Sequence, residues 1–266
     1  MLKERLLLAL GYFTGRMREY EEVLDLAERH GYRMISLDQY LRMGRPSKCI
    51  ILRHDIDYSS PATLQMLKLE KKYNATASYY FRHNTMKHEL MKRIEAEGCE
   101  VSLHYETLAT WAIEHDIQTR EQLNLINWKP ICLDRLSKEI RNMRALGFPC
   151  RTIASHGTPR NIQLKTANYF LFYDEDYYDK LDIDLETYNR EFIAQLDTYI
   201  MDGDKILNRG WYYGKSPQEA IQEGQNRILI LTHPHHWHYN FQRAVYHALK
   251  ALYRGPKTEE TRFELD

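Results

Sequence analysis

The feature that most constrains the fold is a repeated alternation of short apolar segments with helical segments. Seven segments have the length and composition of buried strands, and amphipathic stretches separate many of them. Two of those stretches end close to Gly98 and Gly147, as helices often do. Strand–helix alternation predicts a parallel sheet that is either open or closed into a barrel. The predicted strands are residues 49–53, 76–82, 99–104, 151–156, 167–173, 197–201 and 227–233, and the predicted helices are residues 62–73, 88–97 and 133–146.

The length and the apolar content favour one large domain. The chain has 266 residues, of which 43% are hydrophobic, enough for a sizeable core. We expect an N-terminal extension over residues 1–46, in which a helix is followed by a break at Gly31, a short strand and another helix. The core is expected to span residues 47–254, and residues 255–266 form a polar tail.

The charge balance and the cysteines exclude several classes of protein. There are 37 basic and 37 acidic residues, which argues against a nucleic-acid or membrane-surface partner recognised by bulk charge. The four cysteines form no C-x-x-C pair, so neither a disulfide framework nor a zinc knuckle is expected. Residues 1–10 contain charges and lack a small-residue cleavage site, and no stretch has membrane-spanning length. We therefore expect a cytoplasmic protein without a membrane span; its oligomeric state stays open.

Two carboxylates follow the apolar run at residues 49–52. The sequence there is Arg53-His54-Asp55-Ile56-Asp57, and alternation along a strand places Asp55 and Asp57 on the same side. Two acids on one face repel each other unless a cation or a shared proton lies between them. A metal site or an acid–base pair is therefore one interpretation, and a salt bridge to Arg53 at a strand end is the other.

Ionisable residues also follow other predicted strands. The carboxyl ends of parallel strands gather at one end of a sheet, where α/β proteins bind ligands. An Asp and several His from separate strands would meet there, which is typical of a divalent metal with a nearby acid and base. The clusters are His104-Tyr105-Glu106, Ser155-His156-Gly157, Asp202 with Asp204, Arg209-Gly210-Trp211-Tyr212, and His233-Pro234-His235-His236-Trp237.

Other residues and motifs have simpler interpretations. His235, His236 and His238 are expected in a solvated loop and not as metal ligands. Arg82, at the end of the second strand, is a candidate for substrate contact or for a salt bridge at the edge of the core. The chain has no H-E-x-x-H pair, no G-x-S-x-G nucleophile elbow and no Gly-rich phosphate loop.

The motifs and their order resemble the polysaccharide deacetylases of the NodB-homology type, carbohydrate esterase family four. The resemblance covers roughly residues 45–240 and is closest to a divergent branch associated with surface-polysaccharide biosynthesis. It implies an incomplete (β/α) barrel, usually of seven strands, preceded by an N-terminal helix and strand. The matching segments are residues 52–57, 76–81, 90–104, 199–202, 209–211 and 228–234.

The resemblance implies hydrolysis of an N-acetyl group on an amino sugar or glycan, with a divalent metal, zinc being the expected ion. It assigns Asp57, His104 and His156 to the metal. Asp55 is then the general base and His233 the general acid.

Supporting roles follow from the same resemblance. Asp202 would orient His233 and hold it charged. Trp211 and Trp237 would form an apolar wall for the acetyl methyl or the sugar, and Arg82 is also assigned to substrate binding.

Three departures from the family pattern leave alternatives open. The usual second His after His104 is missing, so His156 is the replacement and Glu106 the competitor. Ile56 splits the usual Asp-Asp pair, so the roles of the two Asp could be exchanged. The Arg that steadies the catalytic Asp has no clean match; the candidates are Arg53, Arg82 and Arg151.

Two other functions fit the same sequence. One is a metal-dependent deformylase or another amide hydrolase on the same scaffold. The other is a noncatalytic carbohydrate-binding relative, an alternative supported by the missing second His.

Overall fold

One curled sheet organises the chain into a half-barrel. The computed structural model describes residues 16–173, 177–203, 211–213 and 215–237, together with residues 245, 249 and 252. Nine strands lie within these residues. They are β1 Arg33–Ile35, β2 Cys49–Ile56, β3 Ser78–Phe81, β4 Glu100–Tyr105, β5 Thr152–Ser155, β6 Leu185–Glu186, β7 Thr198–Asp202, β8 Trp211–Tyr212 and β9 Arg227–Thr232.

The strand order is β6-β5-β4-β3-β2-β9-β7-β8. All pairs along this path are parallel except β7 with β8, which is antiparallel. β1 pairs in parallel with the first half of β2, next to the position that β3 takes along the second half. The sheet is curled, mostly parallel and forms a half-barrel, with β6 and β8 as its two ends.

Helices connect most of the strands, as the alternation in the sequence predicts. The predicted helices at residues 62–73, 88–97 and 133–146 are all present; the first two agree to within about one residue at each end, whereas the third begins earlier, at Trp128. The helices are α1 Met17–Arg29, α2 Leu37–Arg42, α3 Pro61–Lys72, α4 His88–Ala96, α5 Thr107–Glu114, α6 Arg120–Asn124, α7 Trp128–Ala145, α8 Pro159–Leu164, α9 Tyr178–Leu181, α10 Arg190–Ile193 and α11 Pro217–Gln222, with 3₁₀ turns at Asn168–Phe172 and Pro234–His236.

Strand β2 lies at the centre of the sheet and is buried at all eight positions. Ile50, Leu52 and Ile56 belong to the larger core cluster, which contains the apolar faces of the helices. Cys49 and Ile51 belong to a second, smaller cluster. Because side chains alternate along a strand, Arg53 and Asp55 lie on the same face of β2 as Cys49 and Ile51. The apolar run therefore fixes which side of the sheet receives the charged residues.

The N-terminal segment packs directly on this core. β1 joins the sheet through β2, and Tyr20 of α1 is completely buried. The Tyr20 hydroxyl donates to Glu70 Oε1 at 2.8 Å, which ties α1 to α3. Residues 1–15 and the predicted tail lie outside the described residues.

One predicted strand is wrong. Residues 167–173 contain a 3₁₀ turn at Asn168–Phe172. The Asn168 amide donates to the His156 carbonyl at 2.6 Å and accepts from the Ala109 N–H at 3.1 Å, contacts that hold a compact turn and not a strand. The strand that follows β5 in the chain and pairs with its free edge, on the side away from β4, is instead the two-residue β6.

Membrane-spanning helices are not found in the described part of the chain, where no helix is both long and apolar enough to cross a bilayer.

Candidate metal centre and active site

Three side chains from neighbouring strand ends form a candidate metal centre. Asp57 follows β2, His104 lies in β4 and His156 follows β5. One ligand atom from each lies within 4.8 Å of the others. Asp57 Oδ1 is 3.3 Å from His104 Nε2 and 3.4 Å from His156 Nε2. The structure thus brings together the three residues that the family resemblance assigns to the metal.

The donor atoms suit a divalent cation. Asp57 Oδ1 is buried and has no hydrogen-bond partner among the described residues. An isolated buried carboxylate oxygen is unfavourable unless a cation or donor satisfies it. One carboxylate and two imidazoles are also the ligand set of many catalytic zinc sites, which keep a further position open. The residues therefore fit the expected metal.

Both imidazoles present Nε2 to Asp57. His104 Nδ1 is 3.0 Å from the Ala154 carbonyl, and a carbonyl only accepts, so Nδ1 carries the proton. His156 Nδ1 pairs with the Glu106 carboxylate. Each Nε2 lone pair is then free for a metal, an arrangement common in metal sites with oriented histidines.

Glu106 acts on His156 and does not stand in the ligand group. Its Oε1 atom also forms an ion pair with Arg82, whose Nε atom lies 2.7 Å away. Burial alone would raise the pKa of Glu106, but the hydrogen bond and charge of His156, followed by Arg82, lower it. Arg82 in turn donates to the Asp57 carbonyl at 3.1 Å. The sequence predicts Arg82 as a substrate-binding residue. In the structure it forms a salt bridge with Glu106 beside the candidate metal centre.

Asp55 forms a buried ion pair with Arg53. Arg53 Nε donates to Oδ1 at 2.9 Å and Nη2 donates to Oδ2 at 2.8 Å, and Arg53 is 1% exposed. Burial alone would raise the pKa of Asp55, but the Arg53 guanidinium and then His104 lower it. Asp55 Oδ2 lies 3.4 Å from His104 Nε2, beside the metal group. Of the three Arg candidates, Arg53 is therefore the one that contacts this carboxylate.

The second Asp differs from the first in its partners. Burial would raise the pKa of Asp57, but the neighbouring imidazoles, His104 first and then His233 and His156, lower it. Asp57 is thus surrounded by imidazoles, whereas Asp55 is occupied by a guanidinium. This division makes Asp57 the carboxylate of the candidate metal centre and leaves Asp55 beside it.

His233 directly follows β9, the last strand in the described part of the chain, and faces the candidate metal centre. Its Nε2 lies 3.8 Å from Asp57 Oδ2, and its Nδ1 lies 2.6 Å from Asp202 Oδ1. Burial alone would lower the pKa of His233, but the Asp202 carboxylate raises it to about 9. The imidazole is therefore cationic at neutral pH, with Nε2–H directed toward the site.

Asp202 is fixed by more than His233. Its Oδ2 accepts from the His233 N–H at 2.9 Å and from Trp237 Nε1 at 2.6 Å. Burial would raise the pKa of Asp202, yet His233 and then His236 lower it. Trp237, expected in the substrate wall, is instead 1% exposed and holds Asp202.

A second group of possible metal ligands shares two residues, His233 and Asp202, with the pair described above. Asp202, His233 and His236 have ligand atoms within 4.8 Å of one another. His236 Nδ1 is 3.5 Å from Asp202 Oδ2, although the sequence predicts a solvated loop at this position. The burial of Trp237 draws the loop inward, and no local pattern reveals this. Asp204, Arg209, Gly210 and His238 lie outside the described residues.

The wall beside the His233–Asp202 pair contains two tryptophan rings that lie at a tilt to each other. The ring centroid of the half-buried Trp211 is 5.7 Å from that of Trp237. The Arg16 guanidinium lies 4.3 Å from the Trp237 ring centroid. Trp211 is the member of the predicted wall that keeps exposed surface.

Glu186 is a buried acid that the sequence gives no reason to single out. It accepts from the Ser155 N–H at 3.2 Å and from the Tyr188 N–H at 2.7 Å. Burial raises the pKa of Glu186 to about 7, against the lowering effect of these donors and of Arg53. It therefore titrates near neutral pH behind the Arg53–Asp55 pair.

Comparison with known proteins does not identify a family. No family model matches the chain, and no match is found among curated proteins. The geometry alone offers a three-ligand metal site, an ionised carboxylate on one side and a cationic imidazole on the other. Such an arrangement is suited to metal-assisted hydrolysis with separate proton acceptor and donor.

Proposed function

We propose that this chain is a metal-dependent hydrolase that removes N-acetyl groups from an amino sugar in polysaccharide biosynthesis. The motif resemblance to NodB-type deacetylases suggests the reaction. The observation that carries the proposal is the convergence of Asp57, His104 and His156 between Asp55 and His233.

The fold supports the same family. Seven strands of the sheet run parallel in one path, in the order β6-β5-β4-β3-β2-β9-β7. We propose that this path is the incomplete seven-stranded barrel of the deacetylases, to which β1 and β8 are additions.

Asp57, His104 and His156 would hold the metal, for which zinc is our proposal. A divalent ion at such a site acidifies a water molecule and polarises the acetyl carbonyl. Glu106 fixes the orientation of His156, and the Ala154 carbonyl fixes that of His104. His156 thus takes the place of the second His in the usual motif, which weakens the case for a noncatalytic relative.

Asp55 and His233 would move the protons. Because Arg53 keeps Asp55 ionised, Asp55 accepts a proton from the attacking water. Because Asp202 keeps His233 protonated, Nε2–H of His233 protonates the leaving amine. The amine leaves as a neutral group and the acetyl group leaves as acetic acid. The proton of the acetic acid returns to His233, and the proton on Asp55 passes to the amine, so the products are acetate and an ammonium group and both residues regain their starting charge.

The test is acetate release by the zinc-loaded protein from N-acetylglucosamine and its short oligomers. We expect Asp55→Asn and His233→Asn each to reduce kcat by about 10²–10⁴-fold, the usual contribution of an acid or a base. Asp134→Asn, which removes an exposed partner of Lys138, is the matched control and leaves kcat unchanged.

The products distinguish the other activities. Formate released from N-formylated analogues, with no acetate from acetylated ones, would favour the deformylase. Release of neither acid by a protein that also binds no zinc, nickel, cobalt or iron would overturn the hydrolase proposal.

A further inference from the structure

A row of buried polar side chains lies behind the candidate active site. Thr232 of β9, His54 of β2 and Tyr79 of β3 stand directly opposite one another in the sheet. His54 Nδ1 lies 2.6 Å from Thr232 Oγ1, and the ring centroids of His54 and Tyr79 are 4.6 Å apart. All three side chains are completely buried. Because side chains alternate along a strand, the row lies on the opposite face of β2 from Asp55.

Glu70 of α3 holds this row from the helix layer. His54 Nε2 lies 2.7 Å from Glu70 Oε1, and the Tyr79 hydroxyl donates to Glu70 Oε2 at 2.6 Å. The Tyr20 hydroxyl of α1 donates to the same carboxylate at 2.8 Å. The His54 ring is therefore fixed at both nitrogens, at Nε2 by Glu70 and at Nδ1 by Thr232.

The polar network interrupts an apolar face. Leu52 and Ile56, the neighbours of His54 on its side of β2, belong to the larger core cluster. Burying a carboxylate beside an imidazole removes both from water, and apolar side chains of similar volume are often at least as stabilising. An apolar residue at position 54 would therefore serve the core as well. The presence of His54 indicates that the network fixes a geometry.

The row lies at the last paired level of β2 and β9. The backbone register between these two strands ends at the pair His54–Thr232. Asp55 and His233 come next along the chain, and within the described residues no backbone pairing joins them. The contact between the His54 and Thr232 side chains is therefore placed to set how far apart the proposed base and acid lie.

We propose that His54 is a positioning residue that acts through Thr232 to set the separation between Asp55 and His233. Glu70 fixes the imidazole, so the bond to Thr232 holds β9 at one distance from β2. Misplacing a reacting group by about 1 Å can cost about 10²-fold in rate. This inference rests on the proposed function for the roles of the base and the acid, but the separation is measurable without turnover.

Thr232→Val tests the contact because it removes the hydroxyl and keeps the shape of the side chain. In the zinc-loaded chain we expect kcat for acetate release from N-acetylglucosamine oligomers to fall about tenfold, with KM and zinc affinity unchanged. Thr232→Ser keeps the hydroxyl and should restore most of the rate. Thr63→Val is the matched control, since the Thr63 hydroxyl is also buried but has no hydrogen-bond partner among the described residues. Its kcat should equal that of the natural chain.

A double-mutant cycle tests whether His54 acts through Thr232. His54→Leu should lower kcat at least as much as Thr232→Val does, and the double variant should be no slower than His54→Leu alone. Effects that multiply in the double variant would overturn the proposal. A lowered Tm with unchanged kcat in Thr232→Val would also overturn it, because a merely structural contact gives that result. If His54→Leu does not fold, because Glu70 is left unpaired in the core, the variants at position 232 decide the question.

Crystal structures of the variants measure the separation itself. The distance between the Cα atoms of Asp55 and His233 should change by about 0.5 Å in Thr232→Val and stay the same in Thr63→Val. An unchanged distance in Thr232→Val would refute the positioning role.

The two proposals fail separately. A changed distance in a protein that releases no acetate would refute the deacetylase and retain the positioning role. Acetate release at an undiminished rate in Thr232→Val would refute the positioning role and retain the deacetylase.

Discussion

Replacing Arg53 by Met should expose how strongly the fold depends on the buried Arg53–Asp55 pair. The change keeps a long flexible side chain but removes two hydrogen bonds of 2.9 and 2.8 Å to a carboxylate that is 2% exposed. An unpaired buried charge costs about 3–5 kcal/mol. We therefore expect Arg53→Met to lower the free energy of unfolding at pH 8 by about 4 kcal/mol, measured by urea titration with a chelator present.

The loss of unfolding free energy in Arg53→Met should depend on pH, because the charge of Asp55 does. In the natural chain the lowered pKa of Asp55 stabilises the fold above its unfolded value, and this contribution is lost as the pH falls. In Arg53→Met the largest lowering effect is lost, so burial is opposed only by the charges of His104 and His233 and the pKa of Asp55 is higher than in the natural chain. The loss of stability should therefore be larger at pH 8 than at pH 5, because the carboxyl becomes protonated in the fold at lower pH.

Two further variants complete the experiment. Arg53→Met combined with Asp55→Asn removes both charges and should recover most of the lost stability. Arg135→Met, which breaks the more exposed pair with Glu114, should cost less than about 1 kcal/mol. A cost below about 1 kcal/mol for Arg53→Met at pH 8, or no recovery in the double variant, would show that the fold does not depend on pairing this buried charge.

Three more predictions concern the groups around the metal centre. In metal-free protein, NMR titration should give His233 a pKa of about 9, and Asp202→Asn should lower this pKa because the main raising charge is lost; an unchanged pKa would contradict the pairing. Glu106→Gln should weaken zinc binding about 10–100-fold, measured with a competing chelator, because His156 loses its orienting carboxylate; unchanged affinity would count against that role. The raised pKa of Glu186 stabilises the fold below its unfolded value of 4.5, and that contribution is lost as the pH rises through about 7. The unfolding free energy of Glu186→Gln relative to the natural chain should therefore rise by about 3 kcal/mol from pH 4.5 to pH 8, in urea titrations; a pH-independent difference would contradict the titration.

The sequence predicts the elements that carry the site because strand periodicity and strand-end polarity are local signals. The apolar run before Arg53 determines which face Asp55 occupies, and the structure brings Asp57, His104 and His156 together as the motif order implies. In physical terms, parallel strands place their carboxyl ends at one edge, so residues far apart in the chain become neighbours.

What the sequence misses depends on long-range contacts. β6 has only two residues, too few for a periodic pattern. The aromatic segment that precedes β6 in the chain forms a 3₁₀ turn beginning at Asn168. Trp237 is buried because its indole N–H reaches Asp202 from another strand. The role of Glu106 likewise becomes visible only when β4 and β5 lie side by side.

The most direct test of the central claim is the position of a bound metal. Zinc should be located by anomalous scattering in crystals of the protein grown with zinc. We expect a peak about 2.0–2.2 Å from Asp57 Oδ1, His104 Nε2 and His156 Nε2. A peak instead at Asp202, His233 and His236, or no zinc at Asp57, would contradict it.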